Sequence, residues 1–183
     1  MKNFAKTVSA GVRKVLLGLG MAVLVCGSAN AQGGGRAQGA ASPQGLVMQR
    51  NLSLATAKTI AEGALEACQA KGYHTAVAVV DRAGQMLVML RDEQATAQHA
   101  EMARRKAYTA RMFRITTLDF QKRTADPALA AQRNLPDILA LGGGVPIKWE
   151  NETIGAVGSA GSNQQQDDAC AKAGIEKVAD RSK

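Results

Sequence analysis

Two runs of strand-forming residues, Thr75-Ala76-Val77-Ala78-Val79-Val80 and Gln85-Met86-Leu87-Val88-Met89-Leu90, are separated by only Asp81-Arg82-Ala83-Gly84. Parallel strands need a crossover of a dozen or more residues, so this link forces an antiparallel hairpin. Gly84 stands where such a turn needs a positive φ. A second hairpin is predicted from Ile147-Lys148-Trp149, a turn at Glu150-Asn151-Glu152, and Thr153 to Ala160. Just before it, Gly142-Gly143-Gly144-Val145-Pro146 reads as a sharp turn.

Helical spacing fills the rest. Ser53 is placed to cap a helix in which Leu54, Ala57, Ile60, Ala61, Ala64, Leu65 and Cys68 recur at three- and four-residue intervals, ending at Gly72. A second helix, about Gln98 to Phe113, carries a narrow stripe of Ala100, Ala103, Ala107 and Ala110, which permits close packing. Residues 116–135 read as a short helix plus loop, and Gly161-Ser162-Asn163 opens a last helix bearing Ala169, Ala171, Ala173, Ile175 and Val178. The order helix, hairpin, helix, loop, hairpin, helix predicts an α+β fold: one antiparallel sheet with helices packed on it, a single-domain sandwich.

The N-terminus has a different character. Lys2, Lys6, Arg13 and Lys14 precede an apolar stretch from Val15 to Cys26 and the small-residue site Ala29-Asn30-Ala31. That is the pattern of a secretory signal peptide over residues 1–31, too short for a comfortable membrane span. Residues 32–45, rich in Gly, Ala, Gln and Ser, predict a flexible arm, and residues 46–183 a single folded domain. Removing the leader takes four bases and no acids, so the formal charge falls from +8 to +4. With 3% aromatic residues, that leaves no basic, stacking surface for nucleic acid. The processed chain is therefore expected to be periplasmic or secreted and free of the membrane. Cys68 and Cys170 remain; export permits them to pair, but cysteines in two separate helical patterns are as readily small buried apolar residues, and an unpaired state is the expectation. No Cys/His cluster suggests structural zinc.

Chemistry is sparse. His74 reads as a strand-end surface histidine. His99, where a polar loop meets the second helix, has Met102, Lys106 and Thr109 at offsets of three, seven and ten on its side of that helix. A neutral imidazole there suits an axial iron ligand, with Met102 as apolar wall and Arg104 or Arg105 reaching carboxylates. The run Gly155-x-x-Gly158-x-x-Gly161 is not a phosphate-loop pattern, and glycines in a strand mark close packing. The amides at Gly161, Ser162 and Asn163 open a helix and could attract a carboxylate. No nucleophile paired with a base is evident.

Several segments, in order over about Leu46 to Val178, resemble the GlcG/HbpS family of haem-degrading or extracellular haem-binding domains. They are Leu54-x-x-Ala57, Val77-Ala78-Val79-Val80-Asp81-x-x-Gly84, Arg91-Asp92, Arg105-Lys106-Ala107-Tyr108-Thr109-Ala110, Gly143-Gly144-Val145-Pro146-Ile147, Ile154 to Gly161, Gln165-x-Asp167-Asp168 and Ala171-x-Ala173-Gly174. The resemblance implies an α/β sandwich, homo-oligomers and, for some members, a bound haem or other tetrapyrrole. The chain departs from the family between Glu93 and His99, so that His99 falls near a hydroxyl residue of the usual loop. Together these readings give an exported haem-binding protein acting without turnover. His99 is its axial ligand, Met102 and Thr109 line the site, and Arg105 and Lys106 hold the propionates. The alternatives are an enzyme or accessory subunit for a small organic acid held at the Gly158–Asn163 turn, and an oligomeric scaffold without ligand.

Overall fold

The computed structural model describes residues 45–179. The leader and arm expected from the sequence lie outside these, except for Gly45. By its internal contacts the chain divides at Leu46/Val47, and every element below belongs to the second part.

Helix α1 (Leu54–Gln69) starts where Ser53 accepts the amide of Thr56 at 3.2 Å. Strands β1 (Ala76–Val80) and β2 (Met86–Arg91) form the first hairpin, with Gly84 at φ +81° as the turn requires. Helix α2 (Ala97–Phe113) and the short α3 (Thr117–Arg123) follow, and a 3-10 turn (Ala130–Asn134) leads to the second hairpin, β3 (Gly144–Trp149) with β4 (Glu152–Ala160). Helix α4 (Gln164–Ala179) closes the sequence of elements. The sheet is antiparallel in the order β2-β1-β4-β3.

One expectation needs correcting. Gly144-Val145-Pro146 is the start of β3, not part of a turn. β3 is an edge strand, where a missing proline N–H costs no ladder bond, and Pro146 lies opposite Ala156 of its one neighbour.

Period-two alternation divides the sheet into two unlike faces. Val77, Val79, Val145, Ile147 and Val157 point toward α1 and α4, where they meet Ile60, Ala61, Ala64 and Ala171. Ala76, Ala78, Val80, Ala156 and Ala160 point the other way and meet Ala103, Ala107 and Ala110 of α2. The alanine stripe of α2 thus lies on an alanine-lined sheet. At Gly158 the contact is backbone to backbone: an added Cβ would stand 2.1 Å from the carbonyl oxygen of Ala103. The strand glycines do mark close packing.

Cys68 of α1 and Cys170 of α4 form a disulfide, with Cα atoms 5.5 Å apart. This corrects the expectation of two unpaired thiols. The helices that carry them are neighbours, and Gly174 of α4 lies so near α1 that a Cβ there would meet the carbonyl oxygen of Ile60 at 2.3 Å.

Candidate functional site

The β1–β2 hairpin brings a histidine and a carboxylate together at its open end. Ala76 pairs with Arg91, and one step outward the amide of Asp92 donates to the carbonyl of Thr75 at 3.0 Å. Asp92 is buried, and its Oδ1 lies 2.9 Å from Nδ1 of His74, whose side chain is 45% exposed. The carboxylate is otherwise saturated: Gln69 at the end of α1 donates to Oδ2 at 2.8 Å, and the amide of Gln94 to Oδ1 at 2.9 Å. These bonds, the Gln69 amide foremost, hold the Asp92 carboxyl below the usual aspartate range, so it is ionised at neutral pH. Facing an ionised acceptor, the Nδ1 of a neutral His74 carries the proton, and Nε2 keeps its lone pair. This is the arrangement in which a second group orients an imidazole for a metal.

His99 has the opposite polarity. It is the third residue of α2, and with Thr96 it forms a reciprocal cap: the His99 amide donates to Thr96 Oγ1 and the Thr96 amide to His99 Nδ1, each at 3.3 Å. An Nδ1 that accepts leaves the proton of the neutral ring on Nε2. For iron to bind there, the proton would have to move and the cap bond break.

The remaining residues of the α2 set do not line an open site with it. Met102 packs against the alanine layer. Arg105 donates from Nη2 to the carbonyl of Ile138 at 2.6 Å, and its neighbour Arg104 is held by Glu101 and Asp137. Thr109 is fully buried; its hydroxyl donates to the carbonyl of Arg105 and accepts the amide of Leu139. Lys106 is 1% exposed, with Nζ 2.8 Å from Asp167 Oδ2 and 3.0 Å from the carbonyl of Ser159. The offsets of seven and ten place Lys106 and Thr109 on the sheet side of α2. Neither side chain reaches solvent there. Burial pushes the Lys106 ammonium down from its ordinary pKa, and Asp167 opposes that shift.

The Gly158–Asn163 turn is likewise committed. Asp167 Oδ1 accepts both the amide (3.1 Å) and the hydroxyl (2.6 Å) of Ser162, and Asn163 Oδ1 accepts the amide of Gln166. Asp167 thus brings a carboxylate of the chain itself to that turn. Gly143, at φ +121°, fits beside this pair because a Cβ would stand 2.7 Å from Cβ of Asp167 and 3.0 Å from Lys106 Nζ.

The sequence reading missed the partnership of His74 with Asp92. Its signal was the hairpin register, which sets Thr75 opposite Asp92 once the turn at Asp81–Gly84 is fixed. Elsewhere, a cavity of about 520 Å³ opens between the start of α1, the β3–β4 hairpin and the end of α4, with Leu52, Ile147, Trp149, Ile154 and Ile175 in its wall. Among the described residues, no group of three or more His, Cys, Asp or Glu side chains is placed to hold a metal ion, and no helix is long and apolar enough to cross a membrane.

Comparison with known proteins agrees with this architecture. A model of haem-degrading HbpS-like proteins matches residues 52–176. An uncharacterised 15.0 kDa protein from the dhaT–dhaS intergenic region of Citrobacter freundii is 30% identical over 132 residues, covering 68% of this chain and 90% of its own. The crystal structure of a double mutant of Streptomyces reticuli HbpS superposes with a TM-score of 0.71 at 35% identity, covering 76% of this chain and 95% of that one. Klebsiella pneumoniae ORFY shares the fold, with a TM-score of 0.69 at 23% identity over 75% and 97% of the two chains. In sequence and in its four-stranded antiparallel sheet with flanking helices, the chain belongs to the HbpS-like family of haem-degrading proteins.

Proposed function

We propose that this protein binds haem, or a related tetrapyrrole, as an exported and self-associating binding protein, with His74 as the imidazole presented to the iron. The carrying observation is a contrast in geometry: Nδ1 of His74 lies 2.9 Å from the carboxylate of Asp92, an acceptor that calls for the proton on Nδ1 and leaves Nε2 free, whereas Nδ1 of His99 faces a donor, the Thr96 amide. Membership of a family described as haem-degrading supports the ligand class. The pairing of Cys68 with Cys170 supports an oxidising compartment, in line with the leader-like residues 1–31. When bound, the iron supplies a Lewis-acidic centre. The chain supplies the imidazole, which Asp92 orients through Nδ1. His99 with Met102, Arg105, Lys106 and Thr109 forms the second reading of the ligand set.

Haemin titration of the purified chain, followed by the Soret band, tests this reading. A saturable, shifted band is expected, altered or lost in His74→Ala and retained in His99→Ala. A band lost only in His99→Ala would return the ligand to α2, and no saturable band in the unmodified chain would overturn haem binding altogether.

A further inference from the structure

Positive charge gathers where the β1–β2 turn meets the end of α2. Arg82 lies in that turn, Arg111 in the last turn of α2, and Arg114 ends the helix in the left-handed region at φ 58°. The three arginines share the wall of a cavity of about 160 Å³ with Asn151, Glu152 and Thr153. Arg82 and Arg111 also line a second, of about 260 Å³, with Gln49, Asn51 and Ala83.

Of the nearby carboxylates, Asp81 is committed to backbone amides, whereas Glu152 stands in the wall of the smaller cavity and already balances Arg82. Asp81 Oδ1 accepts the amides of Ala83 and Gln85 at 2.8 and 2.9 Å, and Glu152 pairs with Arg82 at 2.8 Å. Among the described residues no hydrogen bond or ion pair reaches the guanidinium of Arg111, and its Nε is closed to solvent without an acceptor. Burial, with Arg114 and Arg82 as like-charged neighbours, pushes the pKa of Arg111 down, and Asp81 only partly opposes this. A basic residue in a last turn favours the helix dipole, which accounts for one cation near this helix end. It does not account for three guanidiniums around one hollow, one of them with its Nε buried and without an acceptor.

We propose that Arg82, Arg111 and Arg114 form a binding site for a small oxyanion, a carboxylate or a phosphate. Guanidinium forks match both groups in bidentate fashion. The two cavities lie below the range of about 300–1,000 Å³ typical of sites for drug-sized ligands, so a single ionised group fits them better than a large molecule. The site stands at the opposite end of β1 from His74 and does not depend on haem binding.

Thermal unfolding of the full chain in inorganic phosphate, in malonate and in sodium chloride of equal ionic strength tests the proposal. A saturable rise in Tm with phosphate or malonate beyond that in chloride is expected from mass action, and the more effective ion identifies the group. The rise should vanish in Arg111→Met, which in chloride should unfold no lower than the unmodified chain because it removes a half-buried cation set between two like charges. Arg114→Gln, at an exposed position, should weaken the apparent affinity about tenfold or more, the scale of one charged hydrogen bond. No rise beyond chloride in the unmodified chain overturns the site, as does a rise that persists in Arg111→Met. If Arg111→Met fails to fold, Arg114→Gln decides, and an unchanged affinity there overturns the site. If the anions are silent but Arg111→Met alters the sedimentation mass, the cations serve a second copy of the chain, and the small-oxyanion site is again overturned.

Discussion

The two faces of the sheet reach the same degree of burial by different means. Toward α1 and α4 the sheet presents Val77, Val79, Val145, Ile147 and Val157, branched side chains that fill space and keep helix and sheet backbones apart. Toward α2 it presents Ala76, Ala78, Ala156, Gly158 and Ala160, with Val80 the one branched residue among them, and at Gly158 the helix settles onto the strand itself. One face is held by side-chain volume, the other by backbone proximity. They should therefore respond oppositely to a change in side-chain size: the branched face suffers from loss of volume and the alanine face from gain. A polar pair joins the two layers, since Lys106 leaves α2, passes the carbonyl of Ser159 at the end of β4 and reaches Asp167 in the first turn of α4.

Breaking that link has the largest expected effect. Lys106→Met leaves Asp167 buried without its cation and should lower stability by about 3–5 kcal/mol, measured by chemical denaturation. A loss under about 1 kcal/mol, as for an exposed ion pair, would show the two layers to be held independently. The disulfide comes next and tests the branched face alone. Replacing Cys68 and Cys170 together by alanine opens a loop of sequence separation 102 and should cost about 2–4 kcal/mol under oxidising conditions, with no difference between the two proteins once the unmodified chain is reduced. A cost that persists after reduction would assign the effect to packing of the sulfur atoms.

These elements were not equally legible in the sequence. The first hairpin could be read because four turn residues leave two strands only one way to pair, and the alanine stripe of α2 because its period is unmistakable. The start of β3 could not, since Gly143-Gly144-Val145-Pro146 has the composition of a turn, and only the edge position of the strand makes Pro146 acceptable within it. The disulfide was hidden for a related reason: pairing across 102 residues depends on the adjacency of α1 and α4, to which neither helix's own spacing testifies. At the candidate site, helical offsets set His99, Lys106 and Thr109 on one side of α2, but periodicity states which residues share a face and not whether that face looks outward. A lysine among alanines reads as a solvated cation. Here the chain supplies Asp167 from the far layer, and the cation goes inside.

The smallest expected effect separates the faces most directly. Gly158 and Ile60 lie on opposite sides of the sheet, and each can be changed by a single small group in opposite directions. Gly158→Ala adds a methyl that would stand 2.1 Å from the carbonyl oxygen of Ala103 and 2.6 Å from the amide nitrogen of Ala107, backbone atoms that yield only if α2 lifts. Such overpacking should cost about 1–3 kcal/mol and loosen the alanine face, visible as faster amide exchange in α2. Ile60→Val removes one methylene from a fully buried side chain on the branched face and should cost about 0.5–1.5 kcal/mol, leaving exchange in α2 unchanged. If the added methyl is accommodated without cost while the removed one is not, α2 is free to shift on the sheet. The alanine stripe would then be a consequence of helix propensity rather than of backbone contact.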